Sequence, residues 1–356
     1  MKYFKDTEEF IKNKKVFCGI DVHKSKWNLC FFSDGEMIER MQINSDYHRL
    51  LTHLHTFYHS ASSVKLVYEA GFTGFWLCRK LRKAGYHCIV TPPNRVPKTE
   101  GKVKTDKRDA AKLTRYLCSG ILKEVYLPPE SIEADRRVER HRLSFVKKKT
   151  RIQNQIKSFL YLHDVQRPDF IKRRWSKAYM QWLEALKFDH TADRFVLERM
   201  FSNYHHIRDE LAAITRQLRR LSRTEPYYKN FKRLTACKGV GLVTAMTYLL
   251  ELHDLTRFPS ADKLSSYLGM TSSQHSSGEK VRLGHITREG NVYARRCLVE
   301  SAWTVIRFDP HLREKYNRIR AKGTNGKKAI VAVARSLALR LRRCLLDEVP
   351  YEVGIC

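Results

Sequence analysis

The chain has 356 residues, 42% of them apolar, which is enough for packed cores and points to two or three domains. It carries 68 Lys+Arg against 37 Asp+Glu, a formal +31, and such a charge opposes the compact state unless a polyanion is present; nucleic acid is the expected partner, ahead of an anionic membrane surface. The absence of an 18-residue apolar run and of an apolar leader segment argues against a membrane or secreted protein, and the nine cysteines, with no C-x-x-C pair, read as reduced buried thiols of a cytoplasmic protein.

Residues 1–14 form a polar lead-in. Three strands are expected over Lys15–Asp21, Lys26–Ser33 and Glu36–Ile43, with Ser33-Asp34-Gly35 as a hairpin turn. A helix follows over Ser45–Ser60, with Leu50, Leu51, Leu54 and Phe57 at helical spacing. Val64–Glu69 is a fourth strand, Gly74–Ala84 a helix stopped by Gly85, and Tyr86–Thr91 a fifth strand ended by Pro92-Pro93. A basic loop, Asn94–Lys104, leads to a helix opened by Thr105-Asp106. This order is that of an α/β domain on one mixed sheet, and it resembles the RNase H-like (RuvC-like) fold; the domain is expected over 15–127, before a Pro128-Pro129 linker.

The region 131–228 reads as mostly helical. Val138, Phe145, Ile152 and Phe159 recur every seven residues in a long basic helix, and an insert over 164–192 holds Trp175, Trp182 and Leu183. Leu197, Met200, Tyr204, Ile207, Leu211, Ile214, Leu218 and Leu221 then form an unbroken a/d seam. The seam reads as a coiled coil between subunits, with an intramolecular hairpin against the 131–163 helix as the alternative; both can hold together in a bundle. Residues 231–346 form a mostly α region closed by helices over 292–307 and 327–346, and 347–356 is a loose tail.

Four acids stand at element ends. Asp21 closes the first strand, Glu69 the fourth, and Asp106 and Asp109 share one face of the last helix of the first domain. A turn cap is the plain alternative for Asp21, and N-capping with a dipole contribution is that for Asp106 and Asp109. In an RNase H-like sheet the first and fourth strands are neighbours, so the four can converge. Clustered carboxylates repel, and a hard divalent cation relieves that repulsion; two ions about 4 Å apart would clamp a phosphodiester.

Here the resemblance becomes specific. Gly19-Ile20-Asp21-Val22-His23-Lys24, Tyr68-Glu69-Ala70-Gly71 and Lys104-Thr105-Asp106-Lys107-Arg108-Asp109-Ala110 resemble the Asp-Glu-Asp-Asp signature of a bacterial insertion-sequence transposase family with a RuvC-like N-terminal and a serine C-terminal domain. The resemblance implies that Asp21, Glu69, Asp106 and Asp109 bind Mg²⁺, with two ions allowed. Ser276-Ser277-Gly278, with Gly284-His285-Ile286-Thr287 and Gly290-Asn291 downstream, resembles the second domain of that family, whose serine before the glycine is the nucleophile. Carried over, that is Ser277, which would form a covalent phosphoserine linkage to DNA; Ser276 is the runner-up and Ser272 and Ser273 are remote candidates. A polar loop is the plain reading of this stretch, and His275 and His285 receive no role. The resemblance further implies a homodimer or homotetramer, a non-coding guide RNA and a nucleoid-associated bacterial protein.

Lys238-Gly239-Val240-Gly241 resembles a helix-hairpin-helix turn, whose glycines let backbone N–H groups approach a phosphate. Lys280, Arg282 and Arg288 near the serine, and Lys147, Lys148 and Lys149 in the basic helix, are further candidate nucleic-acid contacts. The expected function is DNA strand cleavage and exchange. A metal-only junction nuclease and a non-enzymatic RNA- or DNA-binding protein are the alternatives.

Overall fold

A computed structural model describes residues 14–58, 60–97, 106–277 and 280–353, with the backbone alone described at 106–108 and 274–283. Most of the lead-in and much of the basic loop before Asp106 therefore lie outside the described residues. The chain divides into two compact units, one ending at Leu127 and one beginning at Pro128.

The first unit is built on a five-stranded sheet. β1 (Val16–Val22), β2 (Lys26–Ser33) and β3 (Glu36–Asn44) form an antiparallel meander, and β4 (Val64–Glu69) and β5 (His87–Thr91) add in parallel on the other side of β1. The resulting order is β3-β2-β1-β4-β5, as the succession of elements in the sequence leads one to expect. Helices α1 (Tyr47–Phe57) and α2 (Trp76–Lys83) are shorter than their apolar patterns imply. Asp46 caps α1 by accepting from His48 N at 2.8 Å, and α2 begins only after the turn at 71–74. Leu50, Leu54, Leu77 and Leu81 pack with Cys18, Ile20, Leu66 and Tyr68 on one face of the sheet.

Helix α3 (Asp106–Cys118) covers the opposite face. It lies so close to β1 that a Cβ on Gly19 would stand 2.4 Å from the Ala110 carbonyl oxygen, so only glycine fits. Thr114 Oγ1 accepts from Gly19 N at 2.9 Å and lies 2.9 Å from the Cys30 carbonyl. Arg115 stands over the Phe32 ring, Phe32 pairs with Phe17, and Ala110 lies over Gly19. The helix therefore runs antiparallel to β1, and its N-terminal turn heads for the end that carries Asp21.

The second unit is helical except for one hairpin. Its elements are α4 (Glu130–Leu162), α5 (Lys177–Ala185), α6 (Thr191–Leu221), α7 (Tyr228–Thr235), α8 (Leu242–Leu252), α9 (Ala261–Tyr267), β6 (Ser272–Ser277), β7 (Lys280–Ile286), α10 (Val292–Val305), α11 (Pro310–Ala321) and α12 (Gly326–Leu346). Phe145, Ile152, Ile156 and Phe159 of α4 pack with Leu197, Phe201, Tyr204 and Ile207 of α6. The seam expected between subunits is thus used within the chain, and the intramolecular hairpin is the pairing present. Its lower end continues into the core of the following helices, where Ile132 and Leu218 join Leu234, Met246, Leu298 and Leu337.

Two elements of this unit were not foreseen. The polar stretch after Met270 forms an antiparallel ribbon instead of a loop, and α11 separates the two closing helices. The tail is also fastened at Tyr351, whose hydroxyl donates to Asp309 Oδ2 at 2.5 Å and whose N–H bonds the Arg233 carbonyl. Among the described residues no helix is long and apolar enough to cross a membrane, and eight cysteines are free thiols, six of them buried.

Candidate active site

The register of β1 and β4 runs to Ile20 against Tyr68. Asp21 and Glu69 are each the next residue, so the two acids stand on neighbouring strands at one level. Phe17 and Val67 pack with Leu113 and Leu117 of α3, and side chains alternate along a strand. Gly19 and Asp21, like Val67 and Glu69, therefore lie on the α3 face. Asp109 precedes Ala110, the residue over Gly19, and is half-buried. Asp106 begins α3 one turn further toward the same end; its side chain lies outside the described residues.

Asp21 and Glu69 thus share one face and one end of the sheet, and positions 106 and 109 stand at the end of α3 that heads for it. The donor set is all oxygen, which suits a hard divalent cation. Among the described side chains, which do not include that of Asp106, no three His, Cys, Asp or Glu close around one point. Asp21 is not at a bare strand end: β1 continues to Val22, which pairs with Trp27. Its carboxylate lies 3.0 Å from His23 Nε2. His23, part of the matching motif but without a role in sequence terms, is therefore a hydrogen-bond partner of the first acid. Glu69 is exposed.

Ser277 is the last residue of β6 and pairs with Lys280 across the tip of the ribbon. His275 pairs with Arg282 and Ser276 with Val281. Alternation puts positions 275, 277, 280 and 282 on one face of the ribbon and positions 276 and 281 on the other. The side chains at 277, 280 and 282 lie outside the described residues. Ser273 is committed elsewhere, since its hydroxyl donates to the His285 carbonyl at 3.1 Å.

The root of the ribbon is fixed by contacts that sequence reasoning missed. Gly269 before β6 and Gly290 after β7 both have positive φ, and a Cβ on either would stand 2.3 Å from a carbonyl oxygen, of Glu289 and of Tyr267 respectively. Arg295 bonds the carbonyls of Leu268 and Arg288 on the two sides. Arg288, exposed and at φ 56, is thus part of the root as well as a candidate contact.

Asn291 caps α10 by accepting from Ala294 N at 2.9 Å, and its amide donates to Glu251 Oε2 at 2.8 Å. Glu251 is fully buried and also takes Arg140 at both carboxylate oxygens, with the Arg136 guanidinium 3.7 Å away. Its donors compensate a carboxylate that would otherwise be costly to bury. The Gly290-Asn291 pair is accordingly structural. Two signals were available: an asparagine at an N-cap position, and a single acid in the apolar run Leu242–Leu252.

In the turn between α7 and α8, Val240 is buried and Lys238 and Gly241 are exposed. Gly239 has φ 112, and a Cβ there would strike Val305. No side chain caps α8, and no atom lies within 4 Å of the place where a Cβ on Gly241 would stand. The turn thus presents an open backbone at a helix N-terminus. On α4, Lys147 and Lys148 are exposed, and Lys149 is half-buried. Lys147 lines an open groove of about 980 Å³ with Arg151, Asn154, Ser158, Met200 and Arg296. Lys148 sits over the Phe145 ring at 4.1 Å.

Two family models match this chain. One, described as transposase and of the DEDD type of IS110, covers residues 18–163; the other, described as the transposase IS116/IS110/IS902 family, covers 231–317. The chain is similar to the putative transposase y4qE of Sinorhizobium fredii, 36% identical over 256 residues, which are 70% of this chain and 60% of that one. It is also similar to the transposase for insertion sequence element IS1533 of Leptospira borgpetersenii, 28% identical over 347 residues, which are 93% and 95% of the two chains.

Proposed function

The chain belongs to the IS110/IS116 family of transposases, and from that premise we propose that it cleaves and rejoins DNA strands with Mg²⁺ at the acid face of the first unit and a serine at the tip of the ribbon. The observation that carries the reading is the level placement of Asp21 and Glu69 on adjacent strands, beneath the helix end that bears Asp106 and Asp109. These four side chains would hold the cation. When bound, it supplies Lewis-acid stabilisation of charge developing on a phosphodiester.

Ser277 would attack phosphorus through its hydroxyl oxygen. One phosphorus–oxygen bond to a deoxyribose breaks as the serine ester forms, and the serine proton ends on the released sugar oxygen. Bond number is conserved, so a second sugar hydroxyl can reverse the step on another strand and rejoin DNA without ATP. His275, Lys280 and Arg282 share the ribbon face of Ser277 by register, where cations would offset phosphate charge. His23, at 3.0 Å from Asp21, orients that carboxylate.

The +31 charge supports DNA as substrate and an RNA guide as partner. The turn at Lys238, Gly239 and Gly241 would take a phosphate on the N-terminus of α8, and Lys147, Lys148 and Lys149 would contact the backbone of a bound strand. Assembly into dimers or tetramers would use surfaces of α4 and α6 outside their mutual seam.

The test is to trap protein on nicked element-end DNA under denaturing conditions. A covalent adduct is expected from the native chain and not from Ser277→Ala or Asp21→Asn. An adduct that persists in Ser277→Ala removes the serine assignment. Cleavage that needs Asp21 but leaves no adduct selects a metal-only nuclease.

A further inference from the structure

Thr91, the last residue of β5, is fully buried, and its hydroxyl oxygen has no hydrogen-bond partner among the described residues. Buried hydroxyls are nearly always paired, and one left unpaired loses the bonds that water would give it. The carbonyl of this residue is paired, since it accepts from Ala70 N at 2.8 Å.

Its position gives the orphan meaning. The β4–β5 register sets Thr91 directly against Glu69. Ile89, two residues earlier, packs with Val67, Leu113 and Leu117 beneath α3, so Thr91 lies on the face that carries Glu69 and Asp21. Asp21, Glu69 and Thr91 therefore stand in a row on three adjacent strands, one residue before the end of β1 and at the last residues of β4 and β5. Trp27 Nε1 and Tyr86 OH are also buried without partners, but both residues belong to the core on the opposite face. Thr91 alone among these orphans adjoins the acids.

We propose that Thr91 is a positioning residue of the cation site: its hydroxyl donates to the Glu69 carboxylate when that side chain turns inward to hold a divalent cation. Neighbouring strands lie about 4.8 Å apart, within reach of a hydroxyl and a carboxylate on the same face. One Glu69 oxygen then takes the hydroxyl and the other faces the ion. Such partners of a ligand fix its orientation and raise its affinity for metal. The proposal rests on the cation reading above and adds a residue outside the Asp-Glu-Asp-Asp set.

The two possible roles of Thr91 differ in sign. A residue that only fills the core gains from losing an unpaired hydroxyl and has no bearing on cation binding. A residue that positions Glu69 loses affinity without losing stability. Mn²⁺ binding to the full chain, measured by calorimetry, and thermal unfolding in chelator would be compared for the native chain, Thr91→Val, Thr91→Ser and Asp21→Asn.

Thr91→Val is expected to unfold at or above the native temperature in chelator and to bind Mn²⁺ about 10–100-fold more weakly. Thr91→Ser is expected to recover most of the affinity, and Asp21→Asn to lose binding. Native Mn²⁺ affinity in Thr91→Val, with binding lost in Asp21→Asn, overturns the role of Thr91 and leaves the cation site standing. Native binding in Asp21→Asn overturns the cation site itself. A lower unfolding temperature of Thr91→Val in chelator overturns the proposal too, because the hydroxyl then has a partner in the cation-free fold.

Discussion

Arg140 and Glu251 meet through two hydrogen bonds, Nε to Oε1 at 2.7 Å and Nη2 to Oε2 at 2.9 Å, across 111 residues of sequence. The carboxylate that α4 grips in this way is the one that takes Asn291 at the start of α10. The long helical arm and the root of the serine ribbon are therefore clamped to one buried side chain. Removing Arg140 leaves Glu251 with Arg136 and Asn291 only. Arg140→Ala is expected to lower stability by about 2–3 kcal/mol, below the usual cost of breaking a fully buried pair because Arg140 is 42% exposed. Denaturant unfolding measures it, and a change under about 0.5 kcal/mol, the range of ordinary surface substitutions, would contradict the clamp.

The glycines of the second unit divide into two classes. Gly290→Ala puts a methyl 2.3 Å from the Tyr267 carbonyl at φ 117, and a loss of about 3 kcal/mol or more is expected from clash and backbone strain together. Gly241→Ala meets nothing within 4 Å, so the fold should be unchanged. Its methyl stands where a phosphate would approach the N-terminus of α8, and weaker DNA binding at native stability is expected in a gel-shift titration. Unaltered binding would remove the turn from the nucleic-acid surface.

Glu139 supplies a pH dependence. It is 2% exposed and one carboxyl oxygen has no hydrogen-bond partner among the described residues; burial pushes its pKa up, with the Glu251 charge adding to the rise. The folded state thus holds this proton more tightly than the unfolded chain does. Stability from this group is complete below the ordinary glutamate range and declines as pH rises through the raised value. Glu139→Gln keeps the size and removes the charge. The variant should gain on the native protein at pH 8, and the gain should shrink toward pH 4, in unfolding temperatures measured across that range.

The α4–α6 hairpin makes a prediction about oligomers. Ile152 and Leu197 are packed in one cluster of the same chain. Ile152→Ala is expected to cost about 2–4 kcal/mol, the range for large-to-small core changes. The loss should not depend on protein concentration. A loss that vanishes on dilution below the oligomer's dissociation constant would return the seam to an interface between subunits.

Much of the first unit was legible because local pattern and tertiary demand agree there. The strands carry buried apolar runs, Asp34-Gly35 turns the meander, and Gly85 stops α2. The level of Asp21 and Glu69 was expected from the resemblance to an RNase H-like sheet, in which the first and fourth strands are neighbours. The contacts around them were not, since a hydrogen bond such as His23 to Asp21 and an orphan such as Thr91 arise from register and rotamer. In the second unit the serine-rich ribbon was illegible as a strand pair. Serine and glutamine have little β preference, and this ribbon is held by its root, through Gly269, Gly290, Arg295 and Asn291, all distant from the pattern of the strands. The a/d seam was legible as a seam, but periodicity does not state whether the partner helix is in the same chain.

The crossing of backbones at Gly269 and Gly290 means that the chain enters and leaves residues 272–286 at a single point. A segment so attached is a cassette. Its length, twist and sequence can vary while the helices below keep their places, because the contacts that fasten it lie at its root, through Gly269, Gly290, Arg295 and Asn291. Divergence in what the tip contacts can then proceed at small cost in folding, and an exchange of this segment between two such chains would test the boundaries at positions 271 and 287.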